Sequence, residues 1–281
     1  MLNLKNYPRQ AYTINQFTQP SCYELEGESF YFDMDDGYDY ELHVTDKDTC
    51  EWNLAGQPPK QEKYKCLKGD DTTYLLHHET DGSELRTCIT YVIDLDQRLV
   101  TILTCKIGLN PKYPFLVSTE FDFGAIRVAN EDLPFKRHSF TDDLLGTCVE
   151  WHWKSDMYTQ HAYNSTTFYR ITGPRERAAA SIVRHTPSSD EWARYVKIKN
   201  NMYLFALTES YLEKMAGAKN RHRSNSMVFL QNYDRMYHVG RLFANKMVDG
   251  KPIPDNILFG AFGKPVVLDS EFLSAPNPYI V

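Results

Sequence analysis

LRTCITYVIDLDQRLVTILTCKIG, running from Leu85 to Gly108, decides the fold class. Two runs rich in Thr, Ile, Val, Leu and Tyr are separated by a polar break at Asp96-Gln97. Residues of these types pack well on a half-buried pleated surface, and so short a break between two such runs joins them as an antiparallel hairpin. The same grammar extends upstream. ESFYFDM is followed by Asp35-Asp36-Gly37, YDYELHV by Asp46-Lys47-Asp48, TCEWNL by a loop with Gly56, Pro58 and Pro59, EKYKCL by Lys68-Gly69-Asp70-Asp71, and TTYLLHHE by Asp81-Gly82. Each polar cluster is a hairpin tip. A meander of short strands loses its exposed edges by closing into a barrel.

Downstream, STEFDFGAI adds a further strand, Asn130 to Asp143 is polar, and a second meander begins at Leu144. It repeats features of the first in order. Leu25-x-Gly27, an aromatic strand with Phe30, Tyr31 and Phe32, and Tyr40-x-x-His43 are answered by Leu144-x-Gly146, Trp151 and Trp153, and Tyr158-x-x-His161. The spacing from Gly27 to His43 is one residue longer than that from Gly146 to His161, a difference assigned to the intervening turn. KYKCLK at 63 to 68 matches RYVKIK at 194 to 199, and Asp96 answers Asp234. With 281 residues, two domains are expected, here 1–135 and 136–281, both all-β antiparallel barrels in tandem. YLEKMAGAK, 211 to 219, reads as the one helical stretch.

Composition narrows the partners. A formal charge of −6 without a long basic run argues against nucleic acid. No apolar window reaches the roughly 18 residues that a spanning helix needs, and the N-terminus lacks a signal-peptide core, so no membrane is expected and the location is read as cytoplasmic. The six cysteines form no CxxC pair and read as reduced thiols. His77 and His78, adjacent on a strand, face opposite ways and lack a third ligand at suitable spacing, so no metal is expected. Neither a dinucleotide fingerprint, a P-loop nor a GxSxG elbow occurs, leaving chemistry without a cofactor.

H138-S-F-T141-D-D-L-L-G146, then V149-E-W-H-W153 and H161-A-Y163, resemble the molybdenum cofactor biosynthesis protein F family. The LEG start and the run ITYVIDLDQRLVTI in the first half are similar to that family's N-terminal domain. The resemblance implies two calycin-like, or lipocalin-like, barrels. Its name comes from association with a pathway and describes no reaction. Barrels of this shape include phenolic acid decarboxylases, allene oxide cyclases and carrier lipocalins, so the fold leaves enzyme and binder open.

Strand parity selects the candidate site. Alternate residues line a barrel interior wide enough for one small ligand. His161 and Tyr163 share a face and form an acid–base pair, imidazole as proton acceptor or donor and phenol as donor to an oxyanion. Tyr169 and Glu209 join them as catalytic candidates, and Trp151, Trp153, Tyr203 and Arg241 as substrate-binding ones, with His43 the equivalent in the first barrel. An inward Arg pairs a substrate carboxylate. The expected function is a cofactor-independent isomerase, cyclase or lyase acting on a small hydrophobic or aromatic metabolite in the second barrel. The alternative is a non-catalytic lipocalin-like carrier. A third reading makes one barrel a pocketless homodimer interface.

Overall fold

A computed structural model describes residues 16–80, 85–107, 117–155, 157–172, 175–176, 188–208, 222–249 and 251–267. It is built from strands. The first eight are β1 (Ser29–Met34), β2 (Tyr40–Val44), β3 (Thr49–Leu54), β4 (Lys60–Lys68), β5 (Thr73–Thr80), β6 (Arg86–Asp94), β7 (Leu99–Ile107) and β8 (Val117–Ile126). They pair in sequence order, and β8 returns to β1 with Ile126 opposite Phe32, closing an antiparallel barrel. STEFDFGAI is thus the strand that removes the last edge.

The second half contributes β9 (Ser139–Phe140), β10 (Cys148–Lys154), β11 (Met157–Ala162), β12 (Phe168–Thr172), β13 (Arg175–Glu176), β14 (Ser188–Lys199), β15 (Met202–Thr208), β16 (His222–Asn232), β17 (Tyr237–Val248) and β18 (Lys251–Pro265). Strands β10, β18, β17, β16, β15, β14, β12 and β11 follow one another, and pairing of β10 with β11 completes a second closed barrel of eight. β9 and β13 attach to its side. The fold is therefore two antiparallel, calycin-like barrels in tandem. The stretch expected to be helical, 211 to 219, lies outside the described residues, and among those described no helix is long and apolar enough to cross a membrane.

Chain contacts separate two compact units. One is Pro20–Ser139 with Lys197–Asn200, and the other is Met1–Gln19 with Phe140–Val196 and Asn201–Val281. Gln16 and Phe17 precede the first barrel in sequence yet pack with the second. The Tyr237 hydroxyl donates to the Phe17 carbonyl at 2.6 Å, the Phe17 ring meets Phe262 at 5.2 Å, and the Gln16 side chain accepts the Ser155 N–H at 2.9 Å.

Alternation places the cores. Along β1 burial runs Phe30, Phe32, Met34, and these residues belong to one lumen cluster with Leu42, Trp52 and Tyr91. In the second barrel Trp151, Trp153, Tyr163, Phe205, Phe229 and Phe259 form the corresponding cluster. A fully buried side chain of this size contributes about 1.5–3 kcal/mol, so the lumens dominate stability. Glycine lets the rings in: a Cβ on Gly263, which pairs with Trp151, would stand 2.7 Å from the indole. The hairpin tips also repeat. Asp94 accepts the N–H groups of Asp96 at 3.1 Å and Gln97 at 3.3 Å, and Asn232 accepts that of Arg235 at 3.0 Å. Arg98 and Met236 then take the left-handed conformation, with φ of 55° and 44°.

Candidate functional site

The second lumen holds polar groups inside an aromatic box. His161 on β11 is 1% exposed and His238 on β17 is 0% exposed. The His238 ring stacks on Trp151 at 4.4 Å with 19° between planes, and lies 4.7 Å from Phe229 and 5.1 Å from Trp153. His161 lies 5.1 Å from the Tyr169 ring and 6.2 Å from Trp153. Trp153 Nε1 donates to Thr159 Oγ1 at 2.8 Å, and Thr159 Oγ1 meets His161 Nε2 at 3.0 Å. Nδ1 of His161 and both ring nitrogens of His238 have no hydrogen-bond partner among the described residues.

Burial sets the charge state. It drives His161 down to about 3, and it drives His238 well below the usual imidazole range, with His161 as a further, repulsive neighbour. Both rings are neutral at pH 7. The Tyr163 hydroxyl accepts Trp151 Nε1–H at 3.1 Å and Gln231 Nε2–H at 2.9 Å. Burial lifts that phenol to about 12 despite these donors, so it stays protonated.

Equivalence of the barrels follows from their hydrogen bonds. Gly27 N–H donates to Val44 O and Gly146 N–H to Tyr163 O; Val44 N–H returns to Glu28 O and Tyr163 N–H to Thr147 O. Leu42 therefore answers His161, and Val44 answers Tyr163. The cross-strand partners agree, with Phe30 opposite Leu42 and Val149 opposite His161. At the other wall Leu99 pairs with Asp94 and Tyr237 with Asn232, which makes Val100 the counterpart of His238 and Ile93 that of Gln231. The first lumen is aliphatic where the second is polar. Its own imidazole, His78, sits on a different strand, 3.3 Å from the Tyr91 hydroxyl and beside Trp52, and burial takes it down to about 4.

This register corrects His43. The one-residue difference in spacing is a shift of parity, which sends a side chain to the other face of a sheet. His43 is exposed and meets Ser29 Oγ at 2.8 Å on the outer wall, while Leu42 and Val44 point in. Arg241 is corrected in the same way. Leu242 and Ala244 belong to the lumen cluster, so Arg241 between Gly240 and Leu242 faces outward; it is buried there and donates to the Ser226 carbonyl at 3.2 Å. The match of KYKCLK to RYVKIK shifts too. Glu62 faces Cys50 and Glu191 faces Tyr169, so Tyr64 answers Ala193 and Cys66 answers Tyr195.

The remaining expectations divide as follows. His161, Tyr163, Tyr169, Trp151 and Trp153 are buried together in the second lumen. Tyr203 joins the same cluster near one end, its hydroxyl donating to Asp143 at 3.2 Å. Glu209 lies outside the described residues. Sequence reading missed His238, Gln231, Thr159 and Glu191. Glu191 is 1% exposed and opposite Tyr169, on the lumen side with Ala193 and Tyr195. His238 shares its parity with Gly240, Leu242 and Ala244, whose inward face only the sheet pairing reveals.

Residues 5–108 match the family model of the MoaF N-terminal domain. The first barrel is similar to a MoaF N-terminal domain. The matched segment carries the first barrel through β7. No curated protein matches the chain. A MoaF-like domain on a closed barrel suits the binding of a small molecule.

Proposed function

We propose that the second barrel is a cofactor-independent enzyme that isomerises, cyclises or eliminates from a small apolar or aromatic metabolite by proton transfer. One observation carries this reading: two buried imidazoles with unpartnered nitrogens stand where the first barrel has Leu42 and Val100. Leaving a buried donor or acceptor unpaired costs about 1–3 kcal/mol. Selection for stability alone would favour the aliphatic solution already present in the first barrel.

The arrangement supports a set of roles. With Thr159 donating to Nε2, the His161 proton sits on Nδ1, and a neutral imidazole of this kind donates to a developing oxyanion. His238 offers a second donor from the facing wall. Glu191 supplies a carboxylate on the Tyr169 side as proton acceptor. Trp151 and Trp153 form flat walls for an unsaturated ring, and Tyr163, fixed by Trp151 and Gln231, keeps the polar floor in place.

The test uses 2-tetralone, an aryl-fused ketone with acidic α-protons. In D2O the enzyme removes an α-proton, holds the enol oxygen and returns deuterium, so the α-proton NMR signal decays faster than in buffer. His161→Leu abolishes the acceleration. A second reading, a carrier, is favoured by the depression of His161 to about 3, which makes the ring a poor base. Quenching of the lumen tryptophans by 2-tetralone with no gain in exchange would select the carrier and discard the enzyme.

A further inference from the structure

Apart from the second lumen, the first barrel brings two thiols together. Cys66 on β4 is 1% exposed and belongs to the lumen cluster; Cys22, in the segment leading to β1, is partly exposed and packs against that cluster. The Cys22 N–H donates to the Cys66 carbonyl at 2.9 Å. That bond holds the two backbones next to one another, and a disulfide needs Cα atoms within roughly 4.4–6.8 Å of each other. Both side chains lie on the same lumen cluster, and the Cys66 thiol itself donates to the Leu67 carbonyl at 3.8 Å. Both are free thiols.

We propose that Cys22 and Cys66 are a peroxide-reactive pair, Cys22 attacking and Cys66 resolving. Cys22 is the one a solute reaches, and Cys66 waits in the core. The neighbouring Cys66 side chain brings the Cys22 thiol down to about 6 against the opposing effect of burial, with the Lys68 ammonium adding attraction. Cys66 is held well above the usual thiol range, first by its neighbour Cys22 and then by burial, and Cys50 is raised to about 12 by burial. A thiolate is the nucleophile, so reactivity concentrates on Cys22.

The chemistry balances. The Cys22 thiolate attacks one oxygen of hydrogen peroxide; the O–O bond breaks, Cys22 becomes a sulfenic acid and hydroxide leaves. That hydroxide takes the Cys66 proton. The Cys66 sulfur then attacks Cys22 Sγ and expels a second hydroxide, which solvent protonates, leaving a disulfide. Two thiol sulfurs are oxidised by two electrons in total and peroxide is reduced to two waters. The bond would tie the segment before β1 to β4.

The full chain is treated with a small excess of hydrogen peroxide, unfolded, alkylated with iodoacetamide, digested and read by mass spectrometry. The expected product is a Cys22–Cys66 cross-linked peptide, with Cys50, Cys88, Cys105 and Cys148 alkylated. Recovery of Cys22 and Cys66 as alkylated thiols, or of sulfinic acid at Cys22 beside free Cys66, overturns the proposal. In Cys66→Ala, confirmed as folded by circular dichroism, dimedone should trap a sulfenic acid at Cys22. A folded Cys66→Ala protein with no dimedone adduct also overturns it.

Discussion

His161 occupies in the second barrel the position that Leu42 holds in the first, each opposite a buried strand partner, Val149 and Phe30. One site, two solutions: an aliphatic group that packs, and an imidazole whose Nδ1 is left without a partner. His161→Leu therefore removes an unsatisfied polar atom from the core. Unfolding in urea, followed by tryptophan fluorescence, should show a gain of about 1–2 kcal/mol, while 2-tetralone exchange is lost. A loss of stability would mean that the imidazole is there for packing.

Stability should fall on acidification. His161 titrates at about 3 and His78 at about 4 in the folded chain, against a usual 6.5, and His238 lies well below it. Above pH 6.5 these rings are neutral in both states and contribute no pH dependence. Below 6.5 the unfolded chain takes up protons that the folded chain refuses, so each ring withdraws about 1.4 kcal/mol per pH unit until its folded value is reached. Urea midpoints measured from pH 7.5 to pH 4.5 should drop steeply below 6.5. His161→Leu should flatten the slope by one proton.

Tyr163 closes a network. Its oxygen accepts from both Trp151 and Gln231, so Tyr163→Phe strands two buried donors at about 1–3 kcal/mol each. Adding Gln231→Ile, the residue type at the equivalent Ile93, removes one of them. The double variant should recover part of the loss, giving a coupling energy of about 1 kcal/mol in a double-mutant cycle. Additive effects would show that Gln231 bonds elsewhere.

His43 supplies the negative control. Its ring is on the outer wall with Ser29, so His43→Ala should leave stability within about 0.5 kcal/mol and 2-tetralone exchange unchanged. A drop in exchange equal to that of His161→Leu would place the reacting groups in the first barrel.

Much of this protein was legible in the chain itself. Alternating β-branched and aromatic residues between polar breaks, as in Leu85 to Gly108, allow little besides antiparallel hairpins, and the Leu-x-Gly starts and matching turns at Asp96 and Asp234 mark the repeat. Parity along one strand was legible too, which is why Trp151, Trp153, His161 and Tyr163 emerge together on the lumen side. What sequence could not supply was registration between segments. A side-chain period of two turns a one-residue error into a reversal of face, as at His43, and nothing local says which parity of YHVGRLF points inward. Only the paired backbone bonds of Gly27 with Val44 and Gly146 with Tyr163, and closure of each sheet on its first strand, decided that His238 faces His161 while Arg241 turns away. Local composition sets the strands because each residue's preference is its own; the site is decided by long-range pairing, a property of two distant segments at once.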